Sequence, residues 1–204
     1  IIFTLAMAVY FMLCGYSDIA VGSANLFGMT LPENIVYPYS SSSVKEFFAT
    51  FNKTVSAFFG KYVVLPLGGA KKSNIYSFLN ILLMCMLWGV WFGFDMNYAL
   101  WGIYIGLFIC FEQFLFDNLF KKMPVFIGKM YTKIVILFSF AVFGGKTLSE
   151  IGMNFRGLFD FKNFLLYNNQ TIYTLVLSFF PTILSLIFIT KFPKKFGDFF
   201  RERM

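Results

Sequence analysis

Ser73 to Phe94 is a run of 22 residues without a single charged side chain. A helix of that length rises about 33 Å, enough to cross the hydrocarbon core of a bilayer, and few soluble folds could bury so long an apolar element on every side. The run is not alone. Met96 to Phe111 is a second, shorter apolar run, beyond a polar break at Asp95-Met96-Asn97, and it ends at Glu112. Ile134 to Gly145 is a third, with only about 18 Å of helical rise, so it must borrow residues from its flanks or stay half-buried. Asn163 to Thr190 is a fourth, with Pro181 as an expected kink, and Ile1 to Ser17, resuming after Asp18, is a fifth, expected to be broken or kinked near Gly15-Tyr16-Ser17-Asp18. The fold class is therefore an all-α polytopic membrane protein of about five transmembrane helices. Its composition agrees, since 58% hydrophobic and 13% charged residues leave far more apolar surface than a soluble core of this size could hide.

The remaining charges sort by side. Lys71-Lys72, Lys121 to Lys133 and Lys191 to Arg203 alternate with Asp95 and the mixed loop Lys146 to Lys162. Basic connections mark the cytoplasmic face, which places the C-terminus and its basic tail, 191–204, inside. The net charge of +7 thus reads as membrane topology, and no nucleic-acid partner is expected. Between the run that opens the chain and the one that starts at Ser73 lies a segment of another kind. Ser43 followed by Glu46 is a helix-capping signal, and from Val44 to Phe59 apolar residues recur at Phe47, Phe48, Phe51, Val55, Phe58 and Phe59 between polar ones. With the run that stops at Pro66-Leu67-Gly68-Gly69, this makes 44–69 an interfacial or re-entrant amphipathic segment within one membrane domain, 1–204.

One pattern occurs twice. Trp88-Gly89-Val90-Trp91-Phe92-Gly93 returns as Trp101-Gly102-Ile103-Tyr104-Ile105-Gly106, each copy carrying glycines four residues apart. On membrane helices that spacing clears a groove for another backbone. Chemistry is harder to place. The chain has no histidine, the commonest general base and metal ligand, and Cys14, Cys85 and Cys110 are isolated in apolar runs, so neither a metal site nor a disulfide is expected.

Taken together, Gly15-Tyr16-Ser17-Asp18-Ile19-Ala20, Pro32-Glu33-Asn34 with Tyr37-Pro38-Tyr39, Val44-Lys45-Glu46-Phe47-Phe48, Tyr62 to Gly69 and the two Trp-Gly copies resemble the membrane-bound O-acyltransferases. The resemblance is to the bacterial branch that holds the alginate O-acetyltransferases and the teichoic acid D-alanyl transfer proteins. It covers about Phe11 to Glu112, and it implies that roughly the first half of a typical member is absent, in keeping with a chain that begins at Ile1 inside an apolar run. It implies acyl transfer from a cytoplasmic thioester, acyl-CoA or an acyl carrier protein, to a hydroxyl of a cell-surface polysaccharide or similar acceptor, with no bound cofactor. The implied setting is the cell inner membrane, with the bilayer, the donor and an extracytoplasmic acyltransferase as partners.

The resemblance also places a histidine where this chain has Phe92, a histidine or asparagine at Asn52, and in the bacterial branch a histidine at Ile105. Neither Phe92 nor Ile105 can take a proton, and the Asn52 amide is no base near neutral pH. Loss of a general base costs about a hundredfold to ten-thousandfold in rate. Tyr16, Asp18 and Glu46 are the substitute bases in the motif region, and Trp88 and Trp91 are expected to support the site. Three readings follow: an impaired or substitute-base acyltransferase, a catalytically silent member that binds a ligand or partner, and a transporter.

Overall fold

The computed structural model describes residues 2–68, 74–115 and 123–159, together with residues 172, 173, 176, 179, 182 and 183. All regular elements among the described residues are helical. They are α1 (Ile2–Leu26), α2 (Val44–Phe51), α3 (Lys53–Phe59), α4 (Asn74–Val90), α5 (Met96–Cys110), α6 (Val125–Phe143) and α7 (Leu148–Phe159). Short π-helical turns at Gly60–Val64 and Phe111–Leu115 extend α3 and α5. By length and composition, α1 and α6 can cross a membrane, and α4 is a shorter apolar helix of 17 residues. Contacts divide the chain into Ile1–Phe155 and Arg156–Met204. In the second unit the described residues are the end of α7 and six helical positions. The fourth run with Pro181 lies largely outside the described residues. The tail 191–204, the stretch 69–73 with Lys71-Lys72, and Lys121-Lys122 lie wholly outside them.

The centre of the first unit is an antiparallel helical hairpin, α4–α5, whose closeness follows from the repeated glycines. A Cβ at Gly89 would run into the Tyr98 carbonyl oxygen, and one at Gly102 into that of Cys85. At Gly106 it would meet Leu82 and Cys85 side-chain atoms at 3.1 Å. The register 89 to 98, 85 to 102 and 82 to 106 is that of two backbones running in opposite directions with no side chain between them at the two closest points.

Helix α6 then packs on α5 through a ladder of polar contacts, one per turn or so. The Asn97 amide donates to the Phe143 carbonyl (2.7 Å), the Trp101 indole N–H to Ser139 Oγ (3.0 Å) and the Tyr104 hydroxyl to the Val135 carbonyl (3.3 Å). The third apolar run does borrow from its flank: α6 begins at Val125 and takes in Lys129 and Lys133, so its 19 residues reach about 28 Å.

Two expectations are corrected. Helix α1 runs unbroken through Gly15 to Asp18. A helical glycine costs only about 1 kcal/mol, and lipid offers no competing partner to a freed backbone group, so the helix persists. The mixed loop Lys146 to Lys162 contains helix α7. Thr147 Oγ1 accepts from the Glu150 N–H (3.2 Å) and Glu150 Oε2 from the Lys146 N–H (2.8 Å), which closes the helix start from both sides.

Candidate active site

The amphipathic segment begins as its capping signal requires. Ser43 Oγ accepts from the Glu46 N–H (3.0 Å), while Glu46 Oε2 accepts from the Ser42 N–H (2.7 Å) and Ser42 hydroxyl (3.0 Å). The buried side of α2 carries Val44, Phe47, Phe48 and Phe51. Phe48 and Phe51 set their rings against Trp88 of α4, with centroids 4.7 and 5.7 Å away. Helical periodicity thus delivers α2 onto the first Trp-Gly copy.

Trp88 is the hub. It is 1% exposed, stacks on Trp101 at 5.1 Å, and meets the Phe92 ring edge-on at 5.5 Å. Phe92 in turn stands edge-on to Trp101 (5.5 Å, 89°) and to Phe143 of α6 (5.5 Å, 82°). The two tryptophans of the duplicated pattern are therefore partners in one cage, brought together by the glycines that follow them. The Trp101 N–H is satisfied by Ser139, whereas the buried Trp88 N–H has no hydrogen-bond partner among the described residues.

Asn52 lies next to Phe51, 4% exposed, at the break between α2 and α3. Its backbone leaves helical geometry (φ −154°, ψ 82°) and its Oδ1 accepts from the Val55 N–H at 3.3 Å. Asn52 and Phe92 thus belong to the two segments that converge on Trp88. Ile105 is buried, 1% exposed, one turn beyond Trp101.

The other candidates lie apart from this cage. Tyr16 and Asp18 are exposed on α1, Glu46 is exposed and committed to its cap, and Trp91 is 61% exposed just past the end of α4. Aromatic rings line the cage, and the Phe92 ring offers no atom that could take a proton from a hydroxyl.

Two functional-looking residues escape sequence reasoning. Glu112, 5% exposed just beyond α5, accepts from the Val44 N–H (2.7 Å) through Oε1 and the Lys45 N–H (3.0 Å) through Oε2, with the Tyr131 hydroxyl also donating to it. Burial pushes its carboxyl above the usual range, against the pull of these donors. The signal was present, since a carboxylate at the end of an apolar run needs a partner. Asn34, in the Pro-Glu-Asn loop, donates from Nδ2 to Ser17 Oγ (3.0 Å) and accepts at Oδ1 from the Thr54 N–H (2.9 Å). A loop asparagine carries no local mark of such reach.

Known proteins share this arrangement of sequence. The family model described as MBOAT, membrane-bound O-acyltransferase family, matches residues 1–151. A probable alginate O-acetylase, AlgI, of Pseudomonas fluorescens is 27% identical over 152 residues, which are 74% of this chain and 31% of that protein. A peptidoglycan O-acetyltransferase of Helicobacter pylori is 31% identical over 98 residues, 48% of this chain and 19% of its own length. A teichoic acid D-alanyltransferase of Bacillus subtilis is 29% identical over 148 residues, 68% of this chain and 38% of its own. The chain spans about a third of the length of such relatives. With the family model covering most of its length, the chain belongs to the membrane-bound O-acyltransferase family.

Proposed function

We propose that this chain is an O-acyltransferase scaffold whose transfer chemistry is impaired or silent at Phe92. The reaction it inherits moves an acetyl or other acyl group from a cytoplasmic thioester, acyl-CoA or acyl carrier protein, to a hydroxyl of a cell-surface polysaccharide. The relatives' names, for alginate, peptidoglycan and teichoic acid, support that class of acceptor. About five membrane-crossing helices in the inner membrane, an interfacial segment at 44–69, a cytoplasmic C-terminus and an extracytoplasmic acyltransferase partner complete the proposal.

A single observation carries the reading. The Phe92 ring stands edge-on to Trp88, Trp101 and Phe143, and it is at this position that the resemblance implies a histidine able to accept the hydroxyl proton. A silent ligand-binding or partner subunit is the second reading, favoured by the intact frame and by the buried Trp88 N–H, which has no acceptor among the described residues.

The test is acetyl transfer from radiolabelled acetyl-CoA in proteoliposomes, with the chain in its natural full-length context. Wild type is expected to show no turnover above a no-protein control, and Phe92→His to raise it by about a hundredfold or more. Robust wild-type turnover that survives Asp18→Asn, Glu46→Gln and Tyr16→Phe would overturn both the impaired reading and its substitute bases.

A further inference from the structure

The break at Asn52 is held from both sides by residues far away in sequence. On the α2 side, the Glu112 carboxylate takes the first two N–H groups of the helix, at Val44 and Lys45, while the Lys45 ammonium donates to Gln113 Oε1 at 3.1 Å. These bonds fix α2 to the end of α5 and so fix where its last residue, Phe51, meets Trp88. Four of the donors at a helix start have no partner inside the helix, and a carboxylate placed there also meets the positive end of the helix dipole.

On the α3 side, Asn34 supplies two acceptors to the next helix start. Its carbonyl accepts from the Lys53 N–H (3.0 Å) and its Oδ1 from the Thr54 N–H (2.9 Å). The Val36 N–H donates to the Thr50 carbonyl (3.0 Å), closing the loop onto α2 just before the break. The Asn34 amide is itself tied to Ser17 in α1. The main chain on either side of Asn52 is thus bonded to α5 at one end and to α1, through Asn34, at the other. What remains for Asn52 is one conformation, with its Oδ1 on the Val55 N–H.

We infer that Glu112 and Asn34 are positioning residues that clamp the α2–α3 break and thereby set the direction of the Asn52 amide, one residue beyond the Phe51 ring that packs on the Trp88 cage. The role rests on the reading of that cage as the reaction or ligand site, but the clamp itself can be measured without either. Loss of one side leaves α2 or α3 free to pivot about Asn52, and the amide loses its fixed direction before the α4–α5 hairpin is disturbed.

The experiment is an NMR spectrum of the full chain in lipid nanodiscs, selectively labelled with ¹⁵N-asparagine, with the Asn52 side-chain amide assigned by its absence in Asn52→Ser. Asn34→Ala and Glu112→Ala are expected to shift or broaden the Asn52 amide, and to speed backbone hydrogen exchange over 44–55 by about tenfold, the effect of losing one or two hydrogen bonds. Asn80 and Asn97, on α4 and α5, are the internal controls and should not move. Asn34→Asp should restore the Asn52 signal, because a carboxylate still accepts from Thr54 and the Ser17 hydroxyl can turn to donate. Glu112→Gln, which keeps one acceptor oxygen, should fall between wild type and Glu112→Ala. An Asn52 amide that stays in place in both alanine variants overturns the proposal, as does an equal disturbance of Asn80 and Asn97, which would mean general loosening. Wild-type turnover in the transfer assay would sink the silent reading and leave this result untouched.

Discussion

Replacing Gly102 by alanine should separate the α4–α5 hairpin, and the structure gives the scale. A Cβ there would collide with the Cys85 carbonyl oxygen and would lie 2.8 Å from the Cys85 carbonyl carbon and 2.9 Å from Met86 Cα. Every one of these neighbours is backbone, so no side chain can swing aside, and relieving the carbonyl oxygen requires the helices to part by about 1 Å or more. A gap of about 1 Å forfeits about half of each dispersion contact across it, and overpacked cores lose about 1–3 kcal/mol. The Trp88–Trp101 stack lies on the same seam, which puts the expected loss at the upper end of that range.

For a chain of this size each kcal/mol moves the midpoint by about 2–4 °C, so the shift should be on the order of 5–10 °C. The assay is thermal unfolding in detergent followed by tryptophan fluorescence, with near-ultraviolet circular dichroism to report on the stacked indoles. Gly22→Ala in α1 is the matched control, since a Cβ there meets nothing within 4 Å. It should be neutral or slightly stabilising, as alanine is the better helix former. If Gly102→Ala unfolds with wild type, or if Gly22→Ala falls as far, close backbone approach is not what holds the hairpin.

Two further outcomes follow. Ser139→Ala strands the buried Trp101 indole N–H and should lower stability by about 1–3 kcal/mol in the same assay. Glu112 should make stability fall as pH rises: burial raises its folded-state pKa above the unfolded value, so the fold holds the proton more tightly, and that advantage is complete below the ordinary glutamate value of about 4.3 and lost as pH climbs through the raised one. Midpoints measured from pH 4 upward should show that slope in wild type and a flatter one in Glu112→Gln.

What could be read from the sequence was local. The glycine spacing, the charge-free runs and the Ser43-to-Glu46 cap are patterns within one or two helical turns, and α4, α5 and α2 formed where these patterns lie. The Thr147-to-Glu150 cap was equally local but hidden among mixed charges that read as loop. What could not be read were pairings across distance: Trp101 with Ser139 over 38 residues, Asn97 with Phe143 over 46, Glu112 with Val44 over 68. Each joins residues whose local contexts say nothing of one another. The candidate site shows the same division, since Trp88 and Phe92 were visible in the repeated pattern, while Phe143, the Phe48 and Phe51 rings and the Asn34 tie were supplied by folding.

That division bears on what the cage asks of the side chain at position 92. The contacts of Phe92 with Trp88, Trp101 and Phe143 are all edge-to-face, at 73°, 89° and 82°. Such pairs need a flat ring of about the right size, and each contributes roughly 0.5–1.5 kcal/mol beyond the area it buries. An imidazole and a phenyl ring both meet that requirement, but only the first can accept a proton. Packing at position 92 therefore depends on ring shape and proton acceptance on ring nitrogen, so exchange of one ring for the other changes the second while leaving the cage supported. The backbone seam at Gly89 and Gly102 and the polar ladder from Asn97 to Tyr104 lie outside that exchange altogether. A scaffold built this way keeps its packing whichever of the two rings stands at position 92.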